Sequence, residues 1–169
     1  MSIFQKGGTI HGFGRSLKAI HIIQGFSEEQ IKKLADIATK ESYKAGFQLW
    51  EKGDPAKNLY LLEEGKIILT MDTYMGAATP PMQFPVDLIT KGDAMGWSAV
   101  IEPYVYTLGA RCIDDSKAIV FDGAKLRELL NKDSALGYEF MHATAKVIAT
   151  RLTHTEIILI GERRISVLS

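Results

Sequence analysis

Leu59-Tyr60-Leu61-Leu62-Glu63-Glu64-Gly65-Lys66-Ile67-Ile68-Leu69 holds two apolar runs on either side of a polar, glycine-containing stretch. Each run has the length of a short strand, and residues 63–66 have the length of a hairpin connection, so the pattern predicts a β-hairpin over 59–69. Short strands joined by glycine punctuation point to an all-β core, and the same texture extends from Ser42 to Phe121. Within it, residues 75–85 contain Pro80, Pro81 and Pro85 and read as a long irregular connection, because proline removes ladder donors. Asp87-Leu88-Ile89 then resumes a strand, and Cys112-Ile113 is expected to pair with Ala118-Ile119-Val120 around a turn at Asp114-Asp115-Ser116.

Helices flank this core. Ser27-Glu28-Glu29-Gln30 has the spacing of a capping box. Ile31, Leu34, Ala35 and Ile37-Ala38 follow at helical spacing, with Lys32, Lys33, Asp36 and Lys40 on the wet side, so an amphipathic helix is expected to end near Lys40. After Asp122, residues 125–130 read as helix, followed by a long helical segment from about Ser134. The chain divides into a flexible, glycine-rich lead-in (1–19), a β-core with its N-terminal helix (20–124) and a C-terminal helical segment (125–169).

Composition narrows the function. Of 169 residues, 46% are hydrophobic and 24% charged, the balance of a folded globular chain. Its 20 basic residues cancel 20 acidic ones, which leaves no global positive field for a nucleic-acid backbone. Nucleic acid is therefore not an expected partner. Cys112 is the single cysteine, so neither an internal disulfide nor a four-thiolate cluster is available. No secretory signal pattern occurs near the N-terminus, and no apolar run approaches the roughly 18 residues of a membrane span. A cytoplasmic protein without membrane association is expected. His11, His21, His142 and His154 lack metal-site spacing, and no attachment motif supports haem. Neither a nucleophile beside a base nor a carboxylate pair on adjacent elements is visible, so no enzymatic activity is expected. The Gly12-Phe13-Gly14-Arg15 fragment lacks the context of a phosphate loop.

Gly53-Asp54 before Leu59-Tyr60-Leu61-Leu62, then Gly65-Lys66-Ile67, resembles the first glycine signature of the cyclic-nucleotide-binding domains of the catabolite-activator/FNR superfamily. Gly92-Asp93 and Gly96 resemble the second, and Ala110-Arg111, Asp115-Ser116 and Ala118-Ile119-Val120 are similar to the strands that close the family's roll. The resemblance covers roughly residues 20–155. It implies a mainly β fold with flanking helices, a jelly-roll-like β-roll followed by a long C-terminal helix. About ten residues follow Leu159, so the family's helix-turn-helix DNA-reading module is not expected.

The resemblance also implies a phosphate-binding cassette at Gly96-Trp97-Ser98-Ala99-Val100-Ile101, where amides at a helix start favour an anion. Two charged anchors of the family's cassette are absent. Trp97 stands at the acidic position and Tyr106 at the arginine position, with Thr107 matching the small hydroxyl residue beside it. A hydrogen bond to a charged group contributes about 1.5–3 kcal/mol, so losing the arginine alone weakens phosphate binding about tenfold to a hundredfold. Gly96, Trp97, Ser98, Ala99, Tyr104, Tyr106 and Thr107 form the candidate ligand site. No cofactor is implied, and a cyclic nucleotide or another small effector is the candidate ligand. Two pockets remain open: one available to a planar or apolar effector and one filled by its own aromatics. They correspond to two functions, a small-ligand-sensing regulatory module that binds cAMP or cGMP only weakly and a dimerisation or protein-interaction scaffold.

Met141, Ile148, Leu152 and Leu159 recur at near-heptad spacing in the C-terminal segment, and Phe140 and Val147 thicken the same stripe. These residues are expected to form a homodimer seam or to cover the chain's own roll. A separate protein partner is also compatible with the stripe.

Overall fold

The computed structural model describes residues 3–5, 23, 25–73 and 82–166, the side chains of 3–5, 73 and 154–166 excepted. The capping box forms as read: Ser27 Oγ accepts from the Gln30 amide at 3.2 Å, and Gln30 Oε1 accepts from the Ser27 amide at 2.8 Å. They start α1 (Glu28–Ile37), which buries Ile31 and Leu34. The helix ends before Lys40. Ala38 is already extended, and β2 (Ala38–Tyr43) pairs in register with β9 (Ser116–Asp122), from Ala38 opposite Phe121 to Tyr43 opposite Ser116. Six cross-strand positions outweigh the helical propensity of three residues.

Two antiparallel sheets face each other. One has the order β1 (Ile3–Gln5), β2, β9, β4 (Asn58–Glu64), β7 (Ala94–Met95). The other has the order β3 (Gln48–Trp50), β8 (Gly109–Cys112), β5 (Ile67–Thr73), β6 (Met82–Ile89). Inside the segment expected to be an irregular lead-in, Ile3–Gln5 adds a strand to β2. The Gly12–Arg15 fragment lies outside the described residues.

Neither expected hairpin forms. β4 pairs with β7 and β9, whereas β5 pairs with β6 and β8; Glu63 and Glu64 still belong to β4, and Gly65-Lys66 carry the chain from one sheet to the other. Leu59, Tyr60, Leu61 and Leu62 are all buried, as in a strand covered on both faces, not one with an open hairpin face. Gly65 makes the corner with φ 91°, and a Cβ there would lie 2.4 Å from Ser116 Oγ. Residues 114–115 likewise cross between sheets, β8 lying in one and β9 in the other. β6 begins at Met82, inside the stretch expected to be an irregular connection, whose residues 75–81 lie outside the described residues. Pro85 is tolerated there because β6 is a sheet edge and Pro85 sits opposite Thr70 beside a register shift.

Two helices close the fold. Asp122 caps α2 (Gly123–Lys132) by accepting from the Lys125 amide at 2.9 Å, and Asp133 leads into α3 (Ser134–Ser166). The stripe on α3 separates into two faces. Leu136, Phe140 and Thr144 are buried toward the roll, with Phe140 edge-on to Phe26, while Tyr138, Met141 and Leu152 are exposed. Among the described residues, no helix is long and apolar enough to cross a membrane.

Candidate functional site

The cassette begins at Gly96, whose φ of 78° places it in the left-handed region. A Cβ there would meet Asn58 O at 2.8 Å, so only glycine lets the chain pass this close to β4. Trp97–Ala99 forms one 3-10 turn in place of the expected cassette helix. Gly96, Trp97, Ser98, Tyr106 and Thr107 border one cavity, whose volume is about 20 Å3. A cavity needs about 10–15 Å3 for a single water, so this space is of that order.

Aromatic side chains from distant strands fill it. Tyr106 stacks on Trp50 with ring centroids 4.2 Å apart, and Trp50 stacks on Tyr60 at 5.1 Å. Trp50 Nε1 donates to Leu108 O at 2.8 Å. The Tyr106 hydroxyl donates to Asn58 O at 2.7 Å and accepts from the Asn58 amide at 3.1 Å. Its main chain is equally engaged, accepting from Gly53 at 2.8 Å and donating to Asp54 at 2.9 Å. Tyr106 therefore ties the cassette region to the β3–β4 connection and to the start of β4. Burial pushes its phenol pKa up, so the hydroxyl remains a neutral donor.

The remaining expected site residues separate. Ala99 is buried, and its carbonyl accepts from Arg127 on α2. Tyr104 has φ 57° and lies under the Arg127 guanidinium, 4.2 Å from its ring centroid, on a different cleft. The pair fixes the far end of the cassette to α2 without bringing Tyr104 to the Gly96 cavity. Arg111 is exposed on β8 and supplies no charge to the pocket. Cys112 is buried, which pushes its thiol pKa up and leaves it unreactive.

The sequence pattern gave no indication of Arg151. This α3 residue places its guanidinium 4.6 Å from the Trp97 ring centroid. It also donates from Nη2 to Ala94 O at 2.6 Å and sets Nε 3.2 Å from Asp87 Oδ2. Burial lowers its pKa, and the nearby Asp87 and Asp93 carboxylates oppose that shift. The cassette is thus filled from within and covered from α3.

A model of the cyclic nucleotide-binding domain matches residues 40–133, more than half of the chain. The chain belongs to that family. The domain is of the regulatory type, and solved structures show the same fold. A cyclic nucleotide-binding domain from Methylobacillus flagellatus has a TM-score of 0.80 at 17% identity, covering 95% of this chain and 89% of that one. A protein assigned to cyclic nucleotide binding from Geobacter metallireducens is 29% identical with a TM-score of 0.70, covering 82% of this chain and 97% of that one. The Drosophila melanogaster cGMP-dependent protein kinase, isozyme 1, is 24% identical over 123 residues, 66% of this chain and 16% of the kinase. The chain therefore spans only a small part of that curated relative.

Proposed function

We propose that the chain is a regulatory module whose nucleotide pocket has become packed interior, so that it works through association and not as a tight cAMP or cGMP receptor. The observation that carries this reading is the cavity of about 20 Å3 beneath Trp97, bordered by Trp50, Tyr106 and Arg151. Its anchors point the same way: tyrosine stands at the arginine position and is bonded to the protein's own main chain. Isothermal titration with cAMP and cGMP tests it. No binding at millimolar nucleotide is expected; micromolar binding of either would overturn the reading.

The associating surface on this reading is the outer face of α3. Met141 and Leu152 are exposed and Ile148 is half-buried, with Tyr138 extending the row by one turn. Phe140 is buried in its own chain and Val147 is half-buried against the core, so these two support the seam from behind. Leu159 continues the helix, but its side chain lies outside the described residues. A homodimer through this row, in a soluble cytoplasmic setting, is the proposed assembly. Sedimentation equilibrium of the chain and of Leu152→Glu measures it: a dimer that dissociates in the variant is expected, and a monomeric parent rejects the assembly. No catalytic role or cofactor is proposed.

A ligand-sensing reading is kept because one side chain, Arg151, covers Trp97. An effector that takes its place would free that section of α3 for another protein to read. A panel of planar aromatic compounds measured by thermal shift tests this reading. At 100 times its dissociation constant a ligand adds about 2.7 kcal/mol of stability.

A further inference from the structure

A second space lies between α3 and the turn joining β6 to β7, with a volume of about 520 Å3. That is within the range of about 300–1,000 Å3 typical of small-molecule sites. α3 crosses it as a bridge. At one end Phe140 packs on Phe26, and at the other Arg151 holds Ala94 O and Asp87. The ten residues between these anchors, eleven helical steps in all, carry the helix about 16 Å.

Phe26, Ala143 and Val147 supply apolar surface, while the roll wall carries carboxylates and the helix wall carries both signs of charge. The roll contributes Asp87 and Asp93; the helix contributes Lys146 and Arg151, together with one carboxylate, Glu139, and the imidazole of His142. Asp87 is already engaged, accepting from the Leu88 amide on Oδ1 at 2.9 Å and facing Arg151 on Oδ2. Asp93 uses only Oδ2, which accepts from the Thr90 amide and hydroxyl at 2.9 Å each. Its Oδ1 has no donor among the described residues, and Lys146 Nζ has no acceptor among them. A single exposed lysine is ordinarily just solvated. Here it borders a cavity whose opposite wall holds a carboxylate oxygen without a donor, and the space between them has an apolar lining.

We propose that this cavity binds a small zwitterion with an apolar side chain, an α-amino acid of the leucine or phenylalanine class. Its ammonium meets Asp93, its carboxylate meets Lys146, and its side chain rests on Phe26 and Val147. A simple anion leaves the Asp93 carboxylate unmet and a simple cation leaves Lys146 unmet; a zwitterion meets both. Arg151 is the residue the two linings share, while Asp93, Lys146, Phe26 and Val147 lie outside the cassette cavity, so the proposal stands whether or not the cassette binds a nucleotide.

Isothermal titration of the whole chain with L-phenylalanine and L-leucine tests the proposal, with N-acetyl-L-phenylalanine and L-phenylalaninamide as probes of each charge. The free amino acids are expected to bind, and each blocked form to bind at least about tenfold more weakly. Lys146→Ala should weaken L-phenylalanine about tenfold, while Lys132→Ala, outside the cavity, leaves it unchanged. Val147→Trp, which fills the space, should abolish binding; Thr150→Trp at the rim serves if Val147→Trp does not fold. Absence of amino-acid binding, equal affinity for the blocked forms, or an unchanged affinity in Lys146→Ala would each overturn it. Titration with cAMP, run separately, reads the cassette alone.

Discussion

Arg151 borders two spaces of very different size, about 20 Å3 under Trp97 and about 520 Å3 under α3. The smaller lies inside the roll, where Trp50, Tyr60 and Tyr106 stack in series. The larger has Gly92, Ala94 and Ala143 in its lining beside longer side chains, Phe26, Lys146 and Arg151, that stand around the space without filling it. In this chain the larger volume lies at the seam between roll and helix and not at the cassette, where the family resemblance places a ligand. A family glycine signature fixes how the chain turns, but the side chains arriving from other strands decide whether any space remains.

Trp50→Ala breaks this contrast most severely. It removes the middle ring of the stack and its bond to Leu108 O, leaving a void in a core where such truncations cost about 3–5 kcal/mol. Urea unfolding measures the loss. If Trp50 mattered only as filler, small aromatic compounds added to the variant would restore part of the stability. A cost below about 1 kcal/mol would mean that the stack does not support the roll.

Tyr106→Phe is a gentler probe. The ring stays on Trp50, but the Asn58 amide and carbonyl both lose their partner, a penalty of about 1–3 kcal/mol for buried groups left unsatisfied. An unchanged unfolding midpoint would show that the hydroxyl is not the clip described.

These two residues also mark the limit of what was legible in the sequence. The replacement of the arginine by Tyr106 is visible locally, as are the turns at Gly53, Gly65, Gly92 and Gly96, all with positive φ. The filling of the pocket was not visible, because Trp50 reaches Leu108 across 58 positions and Tyr106 reaches Asn58 across 48. Arg151, 57 positions from Ala94, sits in a helical stripe where periodicity marks it only as a break. The hairpins failed for a related reason. Turn length at 63–66 permits pairing between neighbours, but Leu59–Leu62 is buried on both faces and pairs instead with a strand more than 50 positions later. Local spacing identified the strands; non-local burial sorted them into sheets.

Arg151→Met separates the two spaces by removing their shared wall. The cation–π contact with Trp97 and the bond to Ala94 O are lost, and Asp87 rehydrates, so the global cost is about 1 kcal/mol. The larger effect is expected locally. Amides over residues 147–151 of α3 should exchange faster, while those of Phe140 and Leu136, held by the core, keep the parent rate. Uniform acceleration along α3 would mean that the helix is not anchored at two separate points.

The smallest effect belongs to the opposite end of that helix, where Asp133 holds α3 and α1 together. Its Oδ1 accepts from the Leu136 amide at 3.0 Å, and its Oδ2 accepts from Lys33 Nζ at 2.8 Å. The Leu136 amide, then Lys33, holds its pKa below the ordinary carboxylate value. A carboxylate whose pKa is depressed on folding contributes stability above its unfolded pKa, about 3.9, and loses it as pH falls through the folded value. The difference in urea midpoint between the parent and Asp133→Ala should therefore be constant near neutrality and shrink below about pH 4. Arg151→Met removes contacts that do not depend on this carboxylate, so its midpoint difference should not follow the Asp133 titration. Parallel pH profiles for the two variants would show that the ends of α3 respond as one unit, and the two spaces would then have to be treated as one.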